Sequence, residues 1–257
     1  MSGKTWPHNY FPKDVISNIF SVESDHTMKK LAKEQKQDLL ITLLPAAITF
    51  GFNCLVYLAS KYLISPERYI FPDMEIDRLI PLVPQFVVIY YLSFLQWLNY
   101  FVQASFGPTE KRNRYFSADI LAKAICFVIF LAWPVAMRWP TLPEDRNVWL
   151  KILSFTYGVD VPARAFPSIH CFYSWTCFRY SLETEPESRR WIVWLQGIFS
   201  FALFAATTLV KQHYFIDVIG GIAVAELALQ ITNRTALPCL FGKSMAKITS
   251  RLFASSK

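Results

Sequence analysis

Between Leu79 and Pro108 the chain runs for 30 residues without a charged side chain, and between Leu39 and Ser60 for another 22. Such runs leave a soluble domain with no water-compatible surface. They match the ~20 residues that a helix needs to cross the hydrocarbon core of a bilayer. The composition agrees, with 53% of the 257 residues hydrophobic and 16% aromatic. In lipid every backbone polar group must be satisfied within the protein, which for single apolar runs means helices. The expectation is an all-α, polytopic membrane protein: a six-transmembrane-helix bundle with spans near 39–60, 79–104, 118–137, 166–183, 191–210 and 213–234. The fourth is the weakest span. It needs Arg179 to reach the headgroups or a tilt that shortens its buried length.

Around these spans the chain divides into an N-terminal tail (1–37), a membrane catalytic domain (38–234) and a basic C-terminal tail (235–257). The first tail has no short apolar core followed by a small-residue cleavage site, so the first span itself is expected to direct insertion. Within that tail Val15, Ile16, Ile19 and Phe20 have helical spacing, and read equally as an interfacial helix or as chance apolar residues. Five scattered cysteines show no metal-ligand spacing. All but Cys239 fall in apolar runs, which favours buried free thiols over disulfides. The net charge of +7 is not a nucleic-acid footprint, because 17 of the 26 Lys and Arg residues lie in the two tails, at Arg234 beside the second, and in the segments near 111–114 and 179–190. In a six-span chain these segments share one side, so both termini are expected in the cytoplasm.

That topology gathers three distant polar segments at the opposite face: MRWP (137–140), DVPARAFPSIH (160–170) and KQHYFID (211–217). Of the four histidines, His8 and His26 fall in the polar tail, whereas His170 and His213 each stand at the outer end of a span. A lone histidine at a membrane boundary is usually structural; two on one face, each in a dense polar context, point to function. His213 and Asp217 are four apart and share a helix face. A carboxylate there can hold one ring nitrogen and leave the other as a lone-pair nucleophile. A non-catalytic surface pair is the alternative, and facing lipid it would carry a large desolvation penalty. Pro167 suits a first helical turn and Ser168 its cap. The free N–H groups of such a helix start bind phosphate, and His170 beside them could protonate a leaving oxygen; an ordinary helix start with an interfacial histidine is the plain alternative. Arg138, Lys211 and, more weakly, Arg164 are candidate clamps for phosphoryl oxygens, against a default role as headgroup anchors.

PSIH (167–170) and HYFID (213–217), whose second histidine comes 43 residues after the first, resemble the type 2 phosphatidic acid phosphatase superfamily over about residues 118–230. That family's pattern is Lys, six residues, Arg-Pro; then Pro-Ser-Gly-His; then Ser-Arg, five residues, His, three residues, Asp. The resemblance implies a helical bundle and a cofactor-free, metal-independent reaction. In it His213 attacks phosphorus, Asp217 orients it, His170 protonates the leaving group, and water then hydrolyses the phosphohistidine. The chain departs from the pattern in several places. Ile169 replaces the glycine, and Arg138-Trp139-Pro140 stands for Arg-Pro. Leu131 occupies the lysine position, with Lys123 about four turns before Arg138. Ala206 and Thr207 fall where Ser-Arg is expected, so Lys211 is a candidate substitute for the missing charge. RAFPSIHC and KQHY look closer to the branch with sphingomyelin and inositol phosphorylceramide synthases.

The leading functional expectation is a lipid phosphatase at the non-cytoplasmic face, the plasma membrane if the source is bacterial. Its partners would be a lipid phosphate such as phosphatidate or polyprenyl pyrophosphate, and membrane lipids, with no nucleic acid. The alternative is a phosphotransferase that moves a phosphoryl headgroup to a lipid alcohol. A transporter or scaffold would need charges near mid-span, and these are nearly absent.

Overall fold

A computed structural model describes residues 26–72, 74–144, 147–160 and 162–254. The chain falls into two units, 1–41 and 42–257. The described part of the first belongs to the N-terminal turns of helix α1; everything below concerns the second. The helices are α1 (His26–Leu63), α2 (Glu75–Leu79), α3 (Val87–Phe106), α4 (Thr109–Ala132), α5 (Val148–Val159), α6 (Ile169–Thr184), α7 (Arg190–Leu209), α8 (Phe215–Arg234) and α9 (Leu237–Ala254). The stretch holding Val15, Ile16, Ile19 and Phe20 lies outside the described residues.

Each expected span meets a helix, and four segments are long and apolar enough to cross a membrane: Gln37–Leu63, Thr109–Ala132, Glu187–Leu209 and Phe215–Arg234. The protein is therefore an all-α membrane protein. The helix α3 has the length but carries Ser93, Gln96, Asn99 and Gln103, and α6 is only 16 residues long. Boundaries moved where local chemistry intervened. The helix α4 stops at Ala132 because Pro134 offers no N–H and pushes Trp133 out of helical conformation. The helix α6 opens at Ile169, with Ser168 as its cap accepting from the Cys171 N–H at 3.3 Å, so Pro167 precedes the cap instead of occupying the first turn. Three helices were not expected, the first being the short α2. Asn147 caps α5 by accepting from the Leu150 N–H at 3.1 Å, and α9 forms within the basic C-terminal stretch.

Helix α6 sits at the centre, packed on α3, α7 and α8, while α4 packs on α3, α8 and α9. Leu95, Leu98, Val128, Trp194, Ile198 and Phe201 point outward, whereas Ser93, Ser174 and Ser200 are buried. Polar groups inside and large apolar groups outside are what a hydrocarbon solvent selects. Ser174 donates to Gln96 Oε1 at 2.7 Å, and Gln96 Nε2 donates to Gln196 Oε1 at 2.7 Å, which joins α6, α3 and α7. Mid-span charge is rare but present. Lys123 Nζ lies 2.8 Å from Asp119 Oδ2 and 2.9 Å from the Thr49 carbonyl, both side chains fully buried. Arg179 pairs with Glu226 at 2.6 Å instead of standing alone in the weak span. All five cysteines are free thiols, but Cys54 joins Cys239 in being exposed, because its side of α1 faces away from the bundle.

Three loops beyond the helix ends are laced together and carry the site. The Ile70 N–H donates to the Pro134 carbonyl and the Ala136 N–H returns to the Ile70 carbonyl; Ala165 N–H donates to Val135, and Met137 N–H to Pro162. Helix α8 approaches this platform through Gly220 and Gly221. A Cβ at Gly220 would strike the Phe166 ring, and one at Gly221 the Ser168 carbonyl. That close approach lets the Ser168 N–H donate to the Asp217 carbonyl at 3.0 Å.

Candidate active site

The turn between α7 and α8 sets the position of His213. Thr207 at the end of α7 accepts from both the Gln212 and His213 N–H groups, at 3.0 and 3.1 Å. Lys211 reverses the chain with φ 54°, a left-handed conformation that L-residues hold only when their surroundings fix it. Here the fixing contacts are visible: Lys211 Nζ donates to the Asp77 carbonyl at 2.9 Å and to the Ile80 carbonyl at 2.5 Å. Burial lowers the pKa of this ammonium, with the Asp77 carboxylate opposing. Asp77 Oδ1 in turn accepts from the Phe215 N–H at 2.7 Å. The segment before α3 thus buttresses the turn that carries His213.

His213 is 9% exposed and Asp217 fully buried. His213 Nδ1 lies 3.0 Å from the Ala165 carbonyl oxygen and 3.4 Å from Asp217 Oδ2. Both neighbours only accept, so in the neutral ring Nδ1 carries the proton and Nε2 the lone pair. Asp217 Oδ2 also accepts from the Tyr214 N–H at 2.8 Å, which caps α8 and locks the carboxylate. Ala165 is itself anchored through its N–H, which donates to the Val135 carbonyl, so the ring is oriented by two fixed acceptors, one of them backbone.

His170, in the first turn of α6, lies with His213 on the wall of one cavity of about 320 Å³, their ring centroids 5.9 Å apart. His170 Nε2 is 2.8 Å from the Tyr90 hydroxyl and Nδ1 3.5 Å from Ser93 Oγ. The N–H groups of Ile169 and His170 belong to the first turn, where a helix offers them no internal partner. Arg164 lines the same cavity, 7% exposed, with φ 65°. Its guanidinium carbon lies 4.2 Å from the Tyr57 ring centroid, and its Nε and Nη2 are buried without hydrogen-bond partners.

Arg138 and Lys211 line a second, smaller cavity of about 140 Å³ that touches His213 from another side. Arg138 also stacks on Phe71 at 4.5 Å. His170, His213, Arg164 and the Ser168-capped helix start thus converge on the larger cavity, with Asp217 behind His213, while Arg138 and Lys211 stand apart from it. Among the described residues no group of three or more His, Cys, Asp or Glu side chains converges to hold a metal ion.

Several residues around the cavity were given no role by the sequence reading: Tyr57, Tyr90, Trp97, Asp160 and Gln212 on its wall, and Ser93 beside His170. Tyr90, Ser93 and Gln96 repeat at a spacing of three within an otherwise uncharged run. In lipid that marks a bundle-facing stripe. Tyr57 and Asp160 carry no such signal; their meeting, at 3.4 Å, is purely tertiary.

Residues 81–231 match the sequence model of the PAP2 superfamily, which takes in α3 through α8 and both histidines. No curated protein and no solved structure matches the chain significantly. Because the match covers more than half of the 257 residues and brackets the cavity just described, the chain belongs to the PAP2 superfamily, whose members are generally phosphatases or phosphotransferases.

Proposed function

We propose that this protein is an integral-membrane lipid phosphatase acting on a phosphate monoester or pyrophosphate, of the phosphatidate or polyprenyl pyrophosphate type, through a phosphohistidine. The observation that carries the reading is a cavity shared by His170, Arg164 and a His213 whose Nδ1 is committed to two acceptors. In the first step the Nε2 lone pair of His213 forms the N–P bond while the P–O bond to the lipid breaks, and His170 gives a proton to the departing oxygen. In the second, water attacks phosphorus, its proton passes to His170, and the P–N bond breaks to release inorganic phosphate. Asp217 and the Ala165 carbonyl favour the imidazolium-like charge that develops on His213. Arg164 and the N–H groups at the start of α6 receive the phosphoryl oxygens, Ser168 fixing that helix start. No metal or cofactor takes part. Lys211 holds the turn, and Arg138 lies beside it at the rim. The distribution of Lys and Arg supports six crossings with cytoplasmic termini and the cavity at the opposite face.

A second reading is a transferase that passes a phosphoryl headgroup to a lipid alcohol. The charge of the cavity favours it. Among the described residues that line the cavity, Arg164 is the one Lys or Arg and Asp160 the one carboxylate. That balance suits a singly charged phosphodiester better than a dianionic monoester.

Purified protein in detergent with a chelator separates the two. Release of inorganic phosphate from phosphatidate or prenyl pyrophosphate supports the phosphatase; movement of a labelled headgroup to a second lipid without phosphate release supports the transferase. In either case His213→Ala is expected to reduce turnover by about 10⁴-fold or more while the thermal midpoint is kept. Retained turnover would remove His213 from the mechanism.

A further inference from the structure

The cavity contains a donor that neither the motif nor the family match assigns. Gln212 precedes the nucleophile, lines the same cavity as His170 and His213, and is 6% exposed, yet its amide Nε2 is buried without a hydrogen-bond partner. Its backbone is not in question, because the Gln212 N–H is already bound to the Thr207 carbonyl. A buried amide left open is uncommon in a folded protein and calls for an explanation. Chance misfit is a poor one here. The residue before it is pinned in a left-handed conformation by two carbonyls, and the residue after it by two acceptors. The turn therefore holds Gln212 as firmly as it holds His213. Its open donor shares the cavity with the two open guanidinium nitrogens of Arg164.

We propose that Gln212 is a catalytic residue of the phosphoryl transfer. It donates from Nε2 to a non-bridging phosphoryl oxygen, with Arg164 Nε and Nη2 taking the other non-bridging oxygens in a forked arrangement. This proposal rests on the phosphohistidine reading above. The transferring phosphoryl group spreads its charge over three equatorial oxygens, and a fixed donor acts most strongly on charge that grows in the transition state. A neutral amide next to the nucleophile adds a donor without lowering the basicity of His213, as a second cation there would. It also answers the absence of an arginine at Ala206 and Thr207: the turn supplies an amide where the family pattern has a guanidinium.

The test uses the full chain in detergent with ³²P-phosphatidate as substrate and vanadate as a transition-state mimic. Gln212→Leu is expected to reduce kcat about 10²-fold with KM within about threefold, and to weaken vanadate inhibition by a factor similar to the loss in kcat. Unchanged kcat and unchanged vanadate inhibition in Gln212→Leu would overturn the proposal. Should Gln212→Leu fail to fold, the near-isosteric Gln212→Glu decides, since a carboxylate repels the phosphoryl group: a loss larger than 10²-fold is expected (about 10³-fold), and wild-type turnover overturns the proposal. Acid-labile labelling of His213 separates the two levels. No label on the wild-type protein overturns the phosphohistidine reading and this proposal with it. Equal labelling rates in wild type and Gln212→Leu overturn the role of Gln212 alone.

Discussion

Two cations stand in left-handed backbone on either side of His213, and they are used in opposite ways. Lys211, at φ 54°, spends its ammonium on the carbonyls of Asp77 and Ile80. Arg164, at φ 65°, stacks on Tyr57 and leaves Nε and Nη2 open in the cavity that both histidines line. Both positions carry backbone strain of the kind that surroundings must hold in place. At Lys211 the side chain itself does the holding. At Arg164 the holding comes from the backbone lacing of Ala165 to Val135 and Met137 to Pro162, so the side chain stays available. A charge near a nucleophile is thus not by its position a ligand for substrate; what its own hydrogen-bonding groups already touch decides.

The largest expected effect lies at Arg164. Arg164→Ala removes the one Lys or Arg that lines the larger cavity among the described residues. Any L-residue shares the left-handed strain, so the change deletes the cation without adding new strain. We expect kcat/KM to fall by about 10³-fold with little change in thermal midpoint, as for loss of a transition-state donor. A fall below tenfold would place the phosphoryl group elsewhere, toward the smaller cavity.

Lys211 should show the reverse profile. Lys211→Gly keeps the turn conformation at no steric penalty and deletes the tether. Two charge-assisted bonds to carbonyls are lost, a destabilisation of about 2 kcal/mol in chemical denaturation, while kcat/KM measured well below the midpoint changes less than about tenfold. If turnover instead collapses with stability intact, Lys211 is a phosphate ligand and the contrast with Arg164 disappears.

The contrast also shows what was legible before any coordinates. The bundle was, because uncharged runs of span length have few other solutions in lipid. The meeting of the two histidines and Asp217 was, because an expensive polar group at a span end needs a reason. The choice among cations was not. It depends on where the segment 75–80 docks and on how loops 134–137 and 162–165 lace together, contacts between residues with no pattern in common. Gln212 was hidden for a related reason: an amide next to a histidine is unremarkable until its donor is seen buried and open. The helix α5 was also missed. It is 12 residues long, too short for a span, and its cap Asn147 sits in a stretch dense with turn residues.

Arg138 offers the smallest and sharpest test. It lines the smaller cavity with Lys211 and Asp77 and stacks on Phe71 at 4.5 Å. If open hydrogen-bonding groups in the larger cavity define the phosphate site, Arg138→Ala removes only a cation–π contact of about 0.5–1 kcal/mol at an exposed position, and turnover stays within about threefold of wild type. Measuring KM as well as kcat makes the result specific. A rise in KM alone indicates that Arg138 attracts the anionic headgroup from the rim by long-range charge, an effect that added salt removes. A fall in kcat that salt does not restore brings Arg138 into contact with the phosphoryl group. In that case the two cavities work as one site around His213, with Lys211 the only one of the three cations reserved for the fold.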